Sequence, residues 1–470
     1  MNESEYPGEP RLADNSPADT ETAAVIDFTK TEGAIRHALH GCNTTQSLSD
    51  RNFTDFRNEL RAMNFHAART HDWSLWNSGT RLIDTHFIFP LMKLDPADPT
   101  NYYFKQTDEI IRMTREECGM RVFYRLGTSI EHTGWKPEEH FNTIMPDDFE
   151  KYAEVLAAIV RHYRSGWGGG FHFKDMEYWE IWNEPDIPGS RMWSGSLEEF
   201  TKFYVTVLKR LKSEFPDIKV GGPALTNLDE AYFTALLTAC REAGTAPDFI
   251  SWHYYTCDAD DLIGQPARAR AMLDNLGFRN VETCIDEWHY LVTWHGFWKV
   301  KGVDLYRMVT EGRSGINGID GGVFNLAVLS GWQSTPLDRA FYYGSTVDGT
   351  WGFRDGNRKF NKNLYSMKMY GTVMKYAVRV SAERRFPNIY PLGALSADGT
   401  KGCLLVADLR GERMTVELTV HGLENAKNLS AVILDDAHDL VPVPVIRNGS
   451  RLTLVKNDCS SSAFLIQFDL

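Results

Sequence analysis

A chain of 470 residues exceeds what one compact core usually holds, so two domains are expected, one of them large enough for an α/β barrel. With 43% hydrophobic and 24% charged residues it has the make-up of an ordinary globular protein, and its formal charge of −13 argues against nucleic acid or an anionic membrane surface as partner. No run approaches the roughly 18 apolar residues of a membrane helix.

Residues 1–23 are polar, acidic and rich in Pro and Ser, and are read as a disordered or extended arm. They lack the basic-then-apolar order of a secretory leader. Residues 24–34 open with Ala24-Val25-Ile26-Asp27-Phe28-Thr29 and are read as a strand that joins a C-terminal sandwich. From 35 to 382 short β-branched or aromatic runs alternate with longer helical patterns, the signature of parallel βαβ units. Strands are expected at 38–42, 65–70, 121–126, 178–182, 219–222, 249–254, 281–285 and 321–326. Helices are expected at 148–164, 197–214, 229–243, 267–275 and near 363–376. Ser196 before Glu198 and Glu199 offers a capping signal for the second of these. Eight strand–helix units make an α/β fold of the (β/α)8 TIM-barrel type. Residues 72–120 are too long for one helix and are read as an enlarged loop over the barrel mouth. From 383 to 470 the runs alternate with period two between Gly, Asn and Asp turns, which predicts a small antiparallel β-sandwich accessory domain. Its strand faces carry no cluster of aromatics, so a bracing role is expected rather than sugar binding.

Seven cysteines, an odd number without a C-x-x-C pair, suggest free thiols in a reducing compartment, and a cytoplasmic location is the expectation. The sequon at Asn43 is then a chance match. No H-E-x-x-H or other metal-ligand spacing occurs, so neither metal nor cofactor is expected.

Two glutamates end predicted strands four and seven: Glu184 in Trp182-Asn183-Glu184-Pro185 and Glu287 in Asp286-Glu287-Trp288. They stand 103 positions apart, close to three βα units, and the C-terminal strand ends of such barrels carry the active site. Glycoside hydrolysis needs such a pair, one protonated to serve the leaving oxygen and one ionised to attack the anomeric carbon.

The stretch Trp182-Asn183-Glu184-Pro185 resembles the acid/base signature of clan A glycoside hydrolases. With Val220-Gly221-Gly222-Pro223-Ala224, Trp252-His253-Tyr254-Tyr255 and Asp286-Glu287-Trp288 in order, residues 60–335 resemble family 39, which includes β-xylosidases and α-L-iduronidases. The resemblance implies a retaining enzyme that cleaves β-linked glycosides through a covalent glycosyl-enzyme, exo-acting on short oligosaccharides. Glu184 would be the acid/base and Glu287 the nucleophile. Asn183 would bond the sugar 2-hydroxyl, Tyr255 would hold Glu287 ionised, and Arg69 would depress its pKa. His253 and His71 would contact sugar hydroxyls, and Trp332 would stack on a sugar face. Arg125 and Asp286 depart from the pattern, where relatives more often carry a glutamate and a threonine. Arg125 is read either as a contact for a carboxylated sugar or as one arm of a salt bridge within the barrel. Two other readings stand beside this one: a carbohydrate-binding or sensing protein on a degenerate barrel, and a transglycosylase sharing the same intermediate. The expected partner is an oligosaccharide or small glycoside; oligomeric state is open.

Overall fold

The computed structural model describes residues 21–48, 55–71, 73, 82–129, 145–189, 191–294, 309–344, 347–355 and 358–470. Strand β1 (Ala24–Ala34) leads into a closed barrel of eight parallel strands. These are β2 (Gly41–Cys42), β3 (Ala67–Arg69), β4 (Arg121–Leu126), β5 (Tyr178–Ile181), β6 (Lys219–Leu225), β7 (Phe249–Thr256), β8 (Glu282–Tyr290) and β9 (Arg339–Tyr342). Around them run α1 (Arg57–Met63), α2 (Thr85–Ile88), α3 (Lys105–Glu116), α4 (Phe149–Ser165), α5 (Leu197–Glu214), α6 (Glu230–Glu242), α7 (Ala259–Asn275), α8 (Ile319–Trp332) and α9 (Lys362–Val373). Local chemistry sets several helix starts. Ser196 and Glu199 form a reciprocal capping box at α5, and the side chains of Asp148, Asp229 and Asp258 accept backbone N–H bonds at α4, α6 and α7.

Inside the barrel the two-residue period of the strands makes two layers. Ala67, Phe123, Tyr178, Phe249, Cys284 and Phe341 form one buried apolar cluster. Two residues further along, Arg69, Arg125, Glu180, Ser251 and Asp286 are all fully buried. The floor is greasy and the layer above it is charged.

The chain departs from the sequence reading at strand eight. Residues 321–326 lie within helix α8, and the strand that closes the barrel is β9, pairing with β8 and β2. Nearly every side chain of α8 is buried, because the helix is packed both against the barrel and against strands of the C-terminal domain. A helix apolar all round shows no 3.6-residue stripe, so its apolar run imitates a buried strand. The stretch 72–120 also holds more than a loop. Among its described residues α3 supplies the regular barrel helix, burying Ile110, Ile111 and Met113.

After α9 come β10 (Val378–Arg384), β11 (Ile389–Leu395), β12 (Lys401–Asp408), β13 (Thr415–His421), β14 (Lys427–Leu434), β15 (Asp439–Val443), β16 (Ile446–Asn448), β17 (Arg451–Val455) and β18 (Ser462–Asp469). With β1 they make one ten-stranded sheet, ordered β15-β14-β18-β12-β11-β10-β1-β13-β17-β16 and antiparallel except between β1 and β13. Phe28 on β1 and Phe468 on β18 meet edge to face at 5.0 Å although three strands separate them in the sheet. The sheet therefore curls over to enclose its own core, giving a sandwich from one continuous sheet. Alternation along β12 shows how the two domains join. Leu404 and Val406 enter the sandwich core, whereas Cys403, Leu405 and Ala407 belong to the larger core shared with α8.

Candidate active site

At the end of β5 the backbone turns sharply. Trp182 (φ 73°) and Glu184 (φ 46°) both adopt left-handed conformations, an unusual state for bulky residues that surrounding structure must impose. Trp182 is held by its N–H to the Leu126 carbonyl at 2.8 Å and by its indole N–H to the Met192 carbonyl at 2.8 Å. The Glu184 N–H donates to the Ala224 carbonyl at 2.9 Å. Strand β6 comes close enough for this because residue 222 is glycine. With φ 128°, a Cβ there would sit 2.8 Å from the Ile181 carbonyl oxygen.

On β8 the device is a bulge. Trp252 pairs with Ile285 and His253 pairs with Glu287, which leaves Asp286 as the extra residue. Consecutive side chains normally alternate between faces, yet here Asp286 and Glu287 both reach the barrel interior.

Arg69 lies at the centre of the charged layer. Its Nε donates to Glu180 Oε2 at 2.6 Å, its Nη1 to Glu287 Oε1 at 2.9 Å and Asn43 Oδ1 at 3.2 Å. Its Nη2 donates to Asn183 Oδ1 at 2.7 Å and faces Asp286 Oδ2 at 3.1 Å. All five guanidinium donors are thus directed into the site, a task lysine could not perform. The second oxygen of Glu287 accepts the Tyr255 hydroxyl at 2.7 Å. His253 Nδ1 lies 2.9 Å from Glu184 Oε1 and 3.3 Å from Glu287 Oε2. One oxygen of each glutamate and a ring nitrogen of His253 all fall within 4.8 Å of one another. Glu184 keeps 15% of its side chain exposed, whereas Glu287 keeps 6%.

Burial dominates the titration of this group. It raises the Glu287 carboxyl to about 7, against the pull of His253 and Arg69 and with Glu184 and Asp286 pushing the same way. Burial likewise raises Glu180 to about 8. Asp286 is held below its ordinary value because Arg69 and then His253 outweigh its burial. His253 is raised well above its ordinary value, its buried ring being faced by Glu287 and Asp286.

His71 joins the site, with Nε2 3.4 Å from Glu287 Oε1. Asn183 is buried and its amide N–H2 has no hydrogen-bond partner among the described residues. Trp332 does not belong here. Its fully buried ring packs edge to face on Trp288 at 5.1 Å, and its indole N–H donates to the Leu262 carbonyl. It is a core residue because α8, not a strand, carries it. Arg125 is fully buried and pairs with Asp84 at 2.7 Å and Ser129 at 2.9 Å. The site contains residues that the sequence reading passed over. Asn43 is fully buried and donates to the Asp286 carbonyl at 2.9 Å, and Glu180 anchors Arg69. Tyr343, Trp351 and Trp294 surround Tyr255 at ring distances of 6.0, 5.7 and 5.0 Å. Trp294 is 38% exposed and borders a cavity of about 340 Å³ lined also by Tyr255 and Cys257. The position of Asn43 and Glu180 at strand ends, and a tryptophan soon after β8, were the available signals. Glu184, His253 and Glu287 have the donor types of a metal site, but the guanidinium bonded to Glu287 would repel a divalent cation.

Residues 25–289, more than half the chain, match the family model for glycosyl hydrolases family 39. The chain belongs to that family. A β-xylosidase of Caldicellulosiruptor saccharolyticus is 29% identical over 207 residues, covering 42% of this chain and 41% of that protein. A β-xylosidase of Geobacillus stearothermophilus is 31% identical over 121 residues, covering 25% and 23%. The aligned part thus spans well under half of either curated relative. Whole-chain likeness comes from solved structures. A glucosidase from Croceicoccus marinus superposes with a TM-score of 0.76 at 20% identity over 96% of this chain and 100% of that one. A family 39 β-xylosidase from Caulobacter crescentus gives 0.67 at 13% identity over 95% and 99%. At such identities these two establish the fold.

Proposed function

We propose that this family 39 chain is a retaining glycoside hydrolase, exo-acting on short β-linked glycosides and β-xylosidase-like in preference. The observation that carries the reading is the approach of Glu184 and Glu287 to within 4.8 Å. Retaining enzymes hold their carboxyls about 5–5.5 Å apart, and a water-activating inverting pair needs about 6.5–9.5 Å. In this reading Glu184, the more exposed, protonates the glycosidic oxygen while Glu287 attacks the anomeric carbon. Glu184 then takes a proton from water, which attacks the same carbon and releases Glu287. Arg69 and Tyr255 hold the two oxygens of Glu287 in line, so little reorganisation is needed at attack. The unpartnered amide of Asn183 supplies a donor for the 2-hydroxyl, a bond that strengthens in the transition state. Tyr343, Trp351 and Trp294 offer the apolar faces on which a sugar ring stacks, the role expected of Trp332. The two curated β-xylosidase relatives support the choice of sugar.

A panel of nitrophenyl glycosides, beginning with the β-xyloside and α-arabinoside, tests the substrate. Trapping with a 2-fluoro sugar and mapping the labelled peptide tests the mechanism. Label on Glu287 is expected; label on another residue refutes the assignment.

A further inference from the structure

Asp286 is the extra residue of the β8 bulge, and its burial raises a charge-balance problem that the roles above leave unanswered. Neither carboxylate oxygen meets a hydrogen-bond donor of good geometry among the described residues, yet the side chain is fully buried. An ionised carboxylate in that state must be balanced by cations. Arg69, 3.1 Å away, is shared with Glu180 and Glu287, so one guanidinium faces three carboxyls. Glu180 settles part of the balance by keeping its proton, since burial raises it and the neighbouring Asp286 charge pushes the same way. Two carboxylates, Asp286 and Glu287, then remain against Arg69. The second cation is within reach, because His253 Nε2 lies 3.5 Å from Asp286 Oδ2. Its other nitrogen lies between Glu184 and Glu287, at 2.9 and 3.3 Å. The buried ring therefore has acidic groups at both ends: Asp286 and Glu287 from β8, and Glu184 from the turn after β5.

We propose that Asp286 is a positioning residue that keeps His253 doubly protonated, so that its Nδ1–H serves whichever of Glu184 and Glu287 carries the negative charge. The second half of this rests on the retaining reading. In the first displacement the bond between Glu287 and the anomeric carbon forms and the glycosidic bond breaks. The Glu184 proton goes to the leaving oxygen, so negative charge passes from Glu287 to Glu184. His253 Nδ1–H is already within reach of both oxygens and transfers its hydrogen bond without losing a proton. Hydrolysis reverses the shift, with Glu184 taking a proton from water. Without the Asp286 charge the ring falls neutral, and the carboxylate form of Glu184 loses a charge-assisted donor.

Histidine ring nitrogens, observed by NMR of the 15N-labelled protein and assigned with His253→Asn, test the first half without any substrate. Both nitrogens of His253 are expected to stay protonated up to pH 8 in the unmodified protein. In Asp286→Asn the same signal should titrate below pH 7. A neutral His253 at pH 7 in the unmodified protein overturns the proposal, and does not depend on the folding of Asp286→Asn. An unchanged titration in Asp286→Asn overturns it as well. Stopped-flow release of nitrophenol across pH reads the second half: Asp286→Asn should shift the acid limb of the pH profile for breakdown of the glycosyl-enzyme to higher pH, because the Glu184 carboxylate has lost a charge-assisted donor, and an unmoved limb contradicts it. A cationic His253 together with an inverting reaction would remove the retaining reading and leave the Asp286–His253 pair in place.

Discussion

The two layers inside the barrel are built from the same strands, two residues apart, and they are organised by opposite principles. In the lower layer Phe123, Tyr178, Phe249 and Phe341 exclude water, and their one polar group, the Tyr178 hydroxyl, is satisfied by Glu282 and Arg339. In the upper layer Arg69, Glu180 and Asp286 are equally buried, but each is tolerated only because the others are present. A buried ion cluster is a poor source of stability, since desolvation offsets much of the attraction. Its value is preorganisation: the floor holds the strands in register, and the charged layer uses that register to aim Glu287 and Asn183.

Substitutions should separate the layers. The largest effect is expected for Glu287→Gln, with turnover lower by roughly 10⁴-fold or more and a thermal midpoint close to that of the unmodified protein. A loss of folding instead would mean that the carboxylate is structural. Phe123→Ala should do the reverse, costing about 3–5 kcal/mol in denaturant unfolding while kcat of the folded fraction is kept. Tyr255→Phe removes one hydrogen bond to a charged oxygen and should lower kcat/KM by about 10–100-fold. The pH dependence of unfolding sharpens the contrast further. The Glu180 carboxyl is raised in the folded state to about 8 from an ordinary 4.5, so the folded chain binds the extra proton between those values. Stability from this group is full below about 4.5 and is lost as pH rises toward 8. Glu180→Gln should therefore flatten the decline measured between pH 5 and 8, and parallel curves for both proteins would contradict the charge assignment. The smallest effect is expected for Trp294→Ala, a several-fold rise in KM with unchanged stability, because the ring is already half in solvent.

Much of this was legible in the sequence where local chemistry and strand period agree. The Asn183-Glu184-Pro185 turn, the capping box at Ser196 and the β4 to β8 strands could each be read from a few adjacent residues. What could not be read depended on the tertiary environment. Helix α8 imitated a strand because both domains bury it, and that single shift carried Trp332 from the cleft into the core. Asn43 stands out in the sequence only through a chance sequon, and its contact with Arg69 arises from the position at which β2 ends. The inward turn of Asp286 depends on a bulge defined by pairing with β7, which no pattern within β8 alone records.

Retention requires two carboxyls close enough to act at one glycosidic bond without a water between them. Proton NMR of the sugar in the first seconds of hydrolysis of a β-glycoside, before mutarotation, reads this directly. A retaining pair releases the β-anomer first. Initial release of the α-anomer would contradict it.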